Sequence, residues 1–419
     1  MNNPLIDDLY LGIEGELIKK DGKYPVKVGF IGCGSHSFRN IFSALQYIPI
    51  DLVAVCDLNE AKAEMYKRKF GAIKAYTDYK KMVKECDLDA VFVVVGYAED
   101  GTPQYLPVVS YLLKNNISVW FEKPPARNAQ EIQDLIKIES SSSAFAQVGF
   151  KKMFMPAVTK IKEIIHSEEF GKITSYTLRY PVDLPRDIRD IKSSSGRRFI
   201  DDFVHVASNL VTLLGLPDEL TYRRTESGSA IATLYHSKGD YVGSIHLCPG
   251  ASEMCPLENL EIVGTNANIT LDNNISIKYY PPSKRLPYGT TTSFIPNNPN
   301  GASFYGPEFS LGQLYNKGSF ILGYYHQLKH FVDCVASHKK TEIAGLDDAL
   351  RVMRLYDSFA GKELSVIQVN TDQREGVERS NDDVSKDPIC PNCSGEMYLK
   401  DGWNYTCKKC GKMVAASEL

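Results

Sequence analysis

The chain has 419 residues, of which 43% are hydrophobic and 24% charged, and its formal net charge is −3. This length and composition suit two substantial cores plus a small module. The charge gives no basic footprint, so nucleic acid is not expected as a main partner. The amino terminus lacks an export signal, and the longest strongly apolar run, Ala90–Val95, is far too short to cross a bilayer. We therefore expect a globular cytoplasmic protein without a membrane segment.

The ten cysteines indicate the redox environment. Four of them form a spaced group near the carboxyl terminus, and the other six are scattered among apolar or mixed neighbours without a disulfide framework. Thiols of this kind are typical of a reducing compartment, where they stay free or hold metal. The scattered six are Cys33, Cys56, Cys86, Cys248, Cys255 and Cys334.

Residues 25–150 follow an amino-terminal extension of residues 1–24 and alternate apolar β-type runs with helix-period segments. This alternation predicts a parallel sheet covered on both faces, which is the doubly wound Rossmann arrangement. One intervening helix, Asn59–Phe70, ends at Gly71 in the manner of a glycine-capped helix. The predicted strands are Val26–Ile31, Leu52–Asp57, Ala90–Val95, Ile117–Phe121 and Ala144–Phe150.

The first predicted strand runs directly into a glycine-rich turn, and a helix pattern follows at once. Gly32 permits the tight turn, and Gly34 lets backbone N–H groups at Ser35 and His36 approach a pyrophosphate at the start of the helix. Ser37 takes the place of the usual third small residue. This context predicts a dinucleotide site, whereas the glycine pair alone is equally typical of a simple turn.

Asp57 ends the second predicted strand, where a carboxylate can accept hydrogen bonds from both ribose hydroxyls of an adenosine. The following residues, Leu58 and Asn59, offer no cation to neutralise a 2′-phosphate. The sequence therefore favours NAD over NADP. The alternative is that Asp57 only caps the next helix.

Glu122 and Lys123 follow the predicted strand Ile117–Phe121 and precede two prolines. Ligands of open α/β sheets bind at the carboxyl edge, so Lys123 is a candidate for the reacting end of the site and Glu122 for cofactor contact. One of the X-Pro bonds here is a candidate cis peptide. The alternative is a lysine that merely ends a strand in solvent.

Residues 151–370 form the predicted substrate and oligomerisation domain. After a helix near Met155–His166, strand follows strand, which predicts a mostly antiparallel sheet in a second α/β domain. A stretch rich in proline, asparagine and glycine, residues 281–306, is expected to be a long surface loop. Helices over Tyr324–Ser337 and Leu346–Lys362 and a strand over Leu364–Val369 complete the domain.

A helix that opens near Arg197 carries Asp201 and His205 four positions apart, so both side chains share one face. The carboxylate could orient the imidazole, and a histidine that titrates near neutrality suits removal of a hydroxyl proton. Lys123 could then stabilise developing charge on the same oxygen. The alternative is that Asp201 caps the helix and His205 is structural.

Four arginines lie near this helix, and two roles are possible for them. They could bind an anionic substrate group such as a carboxylate or a phosphate, or they could be a solvated basic loop. Nothing in their spacing fixes these side chains at a pocket, so the second interpretation is favoured. The four are Arg186, Arg189, Arg197 and Arg198.

The polar segment of residues 371–388 is typical of a linker and leads into a module of residues 389–419. Two Cys-x-x-Cys pairs there, separated by thirteen residues, predict one tetrahedral metal ion held by four thiolates. Zinc is the expected ion, and iron is the alternative. Segments Met397–Lys400 and Trp403–Thr406 can pair as a hairpin, so the module resembles a zinc ribbon that could contact a protein partner. The predicted ligands are Cys390, Cys393, Cys407 and Cys410.

The chain as a whole resembles the Gfo/Idh/MocA family of sugar and cyclitol oxidoreductases. The resemblance covers residues 25–369. The last predicted helix, residues 346–362, also looks like the last helix of that family. The motifs that carry the resemblance are Val28–Gly34, strand-end Asp57, Phe121–Pro124, Val148–Phe150, and Asp201 followed by His205.

The resemblance implies NAD(P)-linked chemistry on a carbohydrate-like alcohol. Lys123 corresponds to the active-site lysine of the family, Asp201 and His205 correspond to its acid and histidine pair, and Tyr324 corresponds to an aromatic residue near the substrate. Phe203 stands where the family usually has glycine.

These observations predict an oxidoreductase that transfers hydride between NAD and a ring carbinol carbon of a sugar, sugar derivative or cyclitol. His205 is the expected acid/base, Asp201 its orienting partner and Lys123 the group that polarises the oxygen. The alternatives are NAD-assisted glycoside cleavage and a non-catalytic sugar-sensing protein. A homo-oligomer is expected, with the sheet of the second domain as a possible contact surface.

Overall fold

A computed structural model describes residues 25–252, 254–255, 257–282, 302–306, 317–370, 397–399, 404–407, 409–410 and 413–415. The predicted extension 1–24 and linker 371–388 lie outside the described residues. The chain divides into two compact units, one up to Asn370 and one from Thr371 onward.

A six-stranded parallel sheet forms the first half of the larger unit, which confirms the predicted Rossmann topology. Its order is β3-β2-β1-β4-β5-β6, so the two halves of the sheet meet between β1 and β4. The short strand β3 was not predicted, since its three residues form no recognisable period. The strands are β1 (Val26–Ile31), β2 (Ile50–Cys56), β3 (Lys74–Tyr76), β4 (Ala90–Val93), β5 (Ser118–Phe121) and β6 (Ala146–Val148).

Helices cover both faces of this sheet. The first begins as a π-helical segment, Ser37–Ile41, and continues as α1 (Phe42–Leu45). Helix α2 (Glu60–Phe70) confirms the predicted boundaries, because the Asn59 side chain accepts a hydrogen bond from Lys62 N and Gly71 closes the helix at a φ of 77°. The remaining helices of this half are α3 (Tyr79–Glu85), α4 (Tyr105–Lys114) and α5 (Ala129–Ser140).

A nine-stranded sheet forms the second half of the larger unit, in the order β14-β13-β12-β11-β7-β10-β9-β8-β15. All neighbouring pairs are antiparallel except β7 with β10, which confirms the expected mostly antiparallel sheet. The strands are β7 (Ile173–Tyr180), β8 (Glu219–Arg224), β9 (Ala230–His236), β10 (Tyr241–Leu247), β11 (Asn259–Gly264), β12 (Asn268–Asp272), β13 (Ser276–Tyr280), β14 (Ser303–Tyr305) and β15 (Ile367–Gln368).

Two expectations for this half need correction. The stretch 281–306 was expected to be loop throughout, but β14 pairs with β13 through backbone hydrogen bonds. The expected final strand over Leu364–Val369 is shortened to β15, since Leu364 adopts a φ of 64°, which interrupts an extended strand.

A 3₁₀ turn, Lys151–Phe154, and the helix α6 (Pro156–Ile165) lead from the first sheet into the second half. The long helix α7 (Ser194–Leu214) begins three residues earlier than Arg197, with the Ser193 side chain accepting from Gly196 N. The later helices are α8 (Lys317–Ile321), α9 (Tyr324–Ala336) and α10 (Leu346–Ser358).

Phe203 of α7 is fully buried, where the resembled family usually has glycine. Its ring stacks on Phe199 at a centroid distance of 4.9 Å and meets Phe359 edge-on at 5.1 Å. The ring therefore fills the core beside α10 and takes no space from the opposite face of α7, which carries Asp201 and His205.

The smaller unit contains a three-stranded antiparallel sheet of β16 (Met397–Leu399), β17 (Asn404–Cys407) and β18 (Met413–Ala415). Met397 pairs with Cys407 and Leu399 with Tyr405, which confirms the predicted hairpin. Of the four predicted metal ligands, Cys390 and Cys393 lie outside the described residues, and Cys407 is described by its backbone alone.

The described part of the chain contains no helix long and apolar enough to span a bilayer.

Candidate active site

The turn after β1 lies against β4, where the two halves of the parallel sheet meet. Gly32 has a φ of 101°, and a Cβ atom at this position would lie 1.9 Å from the carbonyl oxygen of Val94. Only glycine satisfies both constraints. A Cβ atom at Gly34, in contrast, would meet no atom within 4 Å. The space above Gly34 is open for a ligand.

Asp57, one residue beyond β2, is held by two backbone donors. Its Oδ2 accepts from Cys33 N at 2.8 Å, and its Oδ1 accepts from Asn59 N at 2.8 Å. The N-cap of α2 is Asn59, so Asp57 is not the helix cap. Its carboxylate faces a cleft of about 820 Å³ that also contains Gly32, Gly34 and Gln104 in its lining.

Ser35 and His36 follow the glycine turn and use their side chains within the protein. Ser35 Oγ accepts from Arg39 at 2.6 Å. The ring nitrogens of His36 lie 3.1 Å from Glu122 Oε1 and 3.0 Å from Asn40 Nδ2. His36 thus connects the glycine turn to Glu122, a buried carboxylate at the end of β5.

Lys123 follows Glu122, and the Lys123–Pro124 peptide bond is cis, as the sequence suggested. The Lys123 Nζ lies 2.8 Å from Oδ1 of Asp201 and 3.3 Å from the Asp201 carbonyl oxygen. Its backbone N–H donates to Glu122 Oε2 at 3.0 Å. The structure therefore brings the predicted lysine of the sheet edge to the predicted acid of α7.

Asp201 was expected to orient His205, but among the described residues no hydrogen bond joins these two side chains. Asp201 accepts from Lys123 and also from the hydroxyl of Tyr97 at 2.7 Å. An ammonium group is a stronger partner for a carboxylate than a neutral imidazole, so the lysine takes this acceptor. Asp201 holds Lys123 and Tyr97 in place.

His205 is partly enclosed, and its Nδ1 is buried without a hydrogen-bond partner. Burial lowers the pKa of His205 well below its usual value, and the positive charges of Lys123, Lys152, Lys151 and His36 lower it further. The imidazole is therefore neutral near pH 7. A neutral imidazole can accept a proton, so this environment is compatible with the predicted base.

Tyr97 was not predicted as a site residue. It follows the carboxyl end of β4 and begins a compact loop in which it forms a β-bridge with Pro103. Burial and the nearby Asp201 carboxylate raise the pKa of Tyr97, so its hydroxyl stays protonated and acts as a donor. Its position after a parallel strand is the signal that could have identified it.

Lys151 and Lys152 were also missed, although both follow the strand β6. Lys152 is buried and forms an ion pair with Glu258. Lys151 donates to the hydroxyl of Tyr324 at 3.2 Å, and its Nζ lies 4.6 Å from the centre of that ring. Tyr324, which the resemblance placed near the substrate, is thus part of the lining around Lys151.

The residues of the first sheet fit a dinucleotide. The cleft of about 820 Å³ begins at the glycine turn and passes the Asp57 carboxylate. The turn provides free space where Gly34 lacks a side chain, and Asp57 provides acceptors for ribose hydroxyls. Among the described residues, no group of three or more His, Cys, Asp or Glu side chains could hold a metal ion.

Residues 26–150 match the model of the GFO_IDH_MocA oxidoreductase family, described as an NAD-binding Rossmann fold. The match covers the Rossmann domain of this chain. The match covers the glycine turn, Asp57 and Lys123, which are the residues that first suggested the resemblance.

Characterised relatives are distant in sequence. Trans-1,2-dihydrobenzene-1,2-diol dehydrogenase from Xenopus tropicalis is 23% identical over 180 residues, which are 43% of this chain and 53% of the relative. Myo-inositol 2-dehydrogenase from Thermotoga maritima is 26% identical over 188 residues, which are 43% of this chain and 52% of the relative. The match thus spans about half the length of these relatives.

Solved structures share the fold over most of the chain. A dehydrogenase from Chromobacterium violaceum superposes with a TM-score of 0.66 at 20% identity, covering 80% of this chain and 95% of that chain. Levoglucosan dehydrogenase in complex with NADH and L-sorbose gives a TM-score of 0.64 at 15% identity, covering 82% and 98%. The similarity therefore includes both sheets of the larger unit.

Proposed function

We propose that this protein is an NAD-dependent dehydrogenase that acts on a ring CH–OH group of a sugar, sugar derivative or cyclitol. The observation that carries the proposal is the ion pair between Lys123, at the carboxyl edge of a Rossmann sheet, and Asp201 on α7, the helix that also carries His205. Relatives named for diol and inositol oxidation support the same substrate class. When bound, NAD supplies the acceptor for the hydride.

The cofactor residues have distinct roles in this proposal. Gly32 and Gly34 leave room for the pyrophosphate, and the backbone at Ser35 and His36 begins the helix that faces it. Asp57 accepts hydrogen bonds from the ribose and disfavours a 2′-phosphate, so the expected cofactor is NAD. Glu122, held by His36, positions the backbone before Lys123.

Lys123 donates to the substrate oxygen in the proposed mechanism. Its ammonium is held by the carboxylate and the carbonyl oxygen of Asp201, which leaves the third N–H group of the lysine for the substrate. Tyr97 holds the second side of the Asp201 carboxylate and limits its rotation. A fixed cation beside the oxygen stabilises the negative charge that develops as the hydroxyl proton leaves.

His205 accepts that proton as a neutral imidazole. Its lowered pKa keeps it unprotonated before reaction, and the loss of a neighbouring positive charge or the binding of an anion would make it a stronger base. In this mechanism Lys123, held by Asp201, stabilises the negative charge, and His205 accepts the proton.

A substrate screen with the purified full-length chain tests the proposal. NAD is added with cyclitols, aldoses and sugar acids while the absorbance of reduced nicotinamide is followed. Accumulation of NADH in proportion to oxidised product is the expected result. Glycoside cleavage without net NADH would favour the redox-assisted alternative, and NAD and sugar binding without either reaction would favour a sensing role.

We also propose a homo-oligomer that forms through the open face of the nine-stranded sheet. Ile231 of β9 and Val242 of β10 are each 55% exposed and point to the same face of these paired strands. Exposed aliphatic side chains on a broad sheet are typical of a protein contact. Light scattering after size-exclusion chromatography should give a multiple of the chain mass, and Ile231→Lys should reduce it.

For the carboxyl-terminal module we propose a zinc ribbon that uses Cys390, Cys393, Cys407 and Cys410 as ligands. The spacing of the two Cys-x-x-Cys pairs and the hairpin between them support it. Metal analysis should find one zinc per chain, and Cys393→Ser should abolish it while Cys255→Ser should not. Iron at the same ratio would favour a rubredoxin-like site. We propose that the zinc ribbon contacts a protein partner.

A further inference from the structure

Lys151 lies at the same edge of the parallel sheet as Lys123. Strand β6, which precedes Lys151, pairs with β5 so that Val148 faces Phe121. Gly149 N donates to the carbonyl oxygen of Phe121 at 2.7 Å, which keeps the two strand ends together. The lysines that follow these strands therefore lie at the same edge of the sheet.

Three lysines, Lys123, Lys151 and Lys152, follow these two strands close to one another, but they differ in their partners. Lys123 is paired with Asp201 at 2.8 Å, and Lys152 is paired with Glu258. Lys151 has no carboxylate within ion-pair distance among the described residues and contacts only Tyr324. Lys151 is thus a cation of the site without a direct counter-ion.

The surroundings of Lys151 make its positive charge unfavourable in the free protein. Burial, together with repulsion from Lys152 and Lys123, lowers the pKa of Lys151 to about 8, although Glu122 and Glu258 partly oppose the effect. The positive charges of Lys123, Lys151 and Lys152 also lower the pKa of His205. An anion placed against Lys151 would relieve this cost, because an opposite charge stabilises the protonated amine.

Arg197 lies near the start of α7, on the face that carries Asp201, and it also has a side-chain nitrogen without a hydrogen-bond partner. It lies one helical turn before Asp201, and its guanidinium lies 5.7 Å from the centre of the Tyr97 ring. Its Nε is buried without a hydrogen-bond partner. The adjacent Arg198 instead pairs with Asp183 at 3.2 Å. Of these two arginines, Arg197 is the one whose side chain stays available beside Tyr97 and Asp201.

The exposed arginines of this region do not share that position. Arg186 lies near Glu226 at 3.6 Å, and both side chains are largely exposed. This pair fits the solvated basic loop that the sequence favoured. Lys151 is therefore the cation of this region that an anion would bind, with Arg197 as a second cation near the site.

We propose that the substrate carries an anionic group, specifically a carboxylate, that binds the ammonium of Lys151. The inference rests on the proposed function and narrows its substrate class to acidic sugars. Lys151 then determines specificity, while Lys123 and His205 carry out the chemistry. The hydroxyl of Tyr324 fixes the direction in which Lys151 presents its remaining N–H groups.

Calorimetric titration of the NAD-loaded protein tests this inference with matched ligands. Three pairs are compared, namely glucuronate with glucose, galacturonate with galactose and mannuronate with mannose. We expect at least one acid to bind ten-fold or more tightly than its neutral partner. This preference should weaken as the pH rises through about 8, since the protonated fraction of Lys151 falls.

Variants assign the preference to one side chain. Lys151→Met should remove it, Lys151→Arg should retain it and extend it to higher pH, and the exposed control Lys160→Met should behave as the parent protein. Arginine keeps the charge, so the Lys151→Arg result stands even if Lys151→Met folds poorly. A preference that survives in a folded Lys151→Met protein would overturn the inference.

Two further outcomes distinguish a failure of the anion inference from a failure of the dehydrogenase proposal and test the assignment of the anion as a carboxylate. Equal or undetectable binding of acid and neutral sugar in all three pairs overturns the anion inference, whereas oxidation of a neutral sugar in the same experiment leaves the dehydrogenase proposal intact. Tighter binding of glucose 6-phosphate than of glucuronate would overturn the carboxylate assignment and identify the anion as a phosphate.

Discussion

The ammonium of Lys123 lies 2.8 Å from a carboxylate oxygen of Asp201, although the two residues are 78 positions apart in the chain. This ion pair connects the carboxyl edge of the parallel sheet to one face of α7. Because the pair is only partly exposed, solvent weakens it less than a surface ion pair. Its geometry fixes the donor that we propose for the substrate oxygen.

Replacing Lys123 with methionine should lower kcat by about 10²- to 10³-fold, as expected when a donor to a developing negative charge is lost. Methionine keeps much of the length and apolar surface of the lysine, so the fold should persist. Steady-state kinetics on the substrate found by the screen measures the effect.

Lys137→Met is the matched control for this experiment, because Lys137 is exposed on α5 and pairs only with Asp134. It should retain full turnover. A Lys123→Met protein with normal kcat would remove Lys123 from the mechanism.

Tyr97→Phe should reduce kcat about ten-fold, since a hydrogen bond to a charged acceptor contributes about 1.5–3 kcal/mol. The loss should act through a less ordered Asp201, so KM should change less than kcat. Kinetic comparison with Tyr235→Phe, whose hydroxyl contacts Asp240 on the second sheet, controls for loss of a tyrosine hydroxyl. Identical kinetics for the two variants would contradict a role of Tyr97 at Asp201.

Asp57 should decide between the two nicotinamide dinucleotides. The parent protein should bind NADH at least ten-fold more tightly than NADPH, because a 2′-phosphate would face the carboxylate. Asp57→Asn combined with Leu58→Arg should reverse the order, and Leu58 is 92% exposed, so arginine fits there without repacking. Fluorescence titration of the reduced cofactors measures both affinities. Equal affinities in the parent protein would refute the NAD preference.

The larger features of the fold could be predicted because they depend on repeated patterns. Alternating strands and helices identified the Rossmann topology, and the antiparallel sheet followed from consecutive strands. Gly32 was identified because it lies between a predicted strand and a helix pattern, and its φ of 101° and close approach to Val94 explain why no side chain fits there. Lys123 was identified because it ends a parallel strand.

The details of the site could not be predicted, because they depend on which side chains compete for one acceptor. The spacing in the sequence placed Asp201 and His205 on one face of a helix. It could not show that Lys123 and Tyr97, which are distant in the chain, donate hydrogen bonds to Asp201. Lys151 was missed for a similar reason, since only the three-dimensional structure shows that it lacks a carboxylate.

The two glycines of the first turn should respond differently to alanine. Gly32→Ala should destabilise the protein by about 3 kcal/mol or more, because the new methyl group would overlap Val94 O and the residue would keep a positive φ. Gly34→Ala should change stability by less than about 1 kcal/mol but weaken NADH binding at least ten-fold. Urea unfolding and cofactor titration measure the two effects. Unimpaired NADH binding by Gly34→Ala would contradict the proposed pyrophosphate position.

A buried histidine in the second sheet should make the protein sensitive to acid. His236 lies 3.0 Å from the hydroxyl of Tyr176 and stacks on Tyr241 at 4.3 Å. Burial lowers the pKa of His236 to about 4, with Asp218 opposing the effect. The imidazole therefore stays neutral in the folded protein at pH values where it is protonated in the unfolded chain.

The sign of the pH dependence follows from this difference. Between about pH 6.5 and 4 the unfolded state binds a proton that the folded state does not, so stability falls as the pH is lowered through this range. The full effect of one such group is about 3 kcal/mol, with the histidine's unfolded pKa near 6.5. His205, His326 and His330 have lowered pKa values and contribute in the same direction.

Urea unfolding at several pH values isolates the contribution of His236. His236→Phe keeps a ring against Tyr241 but cannot be protonated, so it should lose stability at neutral pH through the missing Tyr176 hydrogen bond and lose less on acidification than the parent protein. The exposed His246→Gln should keep the parental slope. If His236→Phe also keeps that slope, the proton is taken up elsewhere, and the remaining buried histidines account for the acid sensitivity.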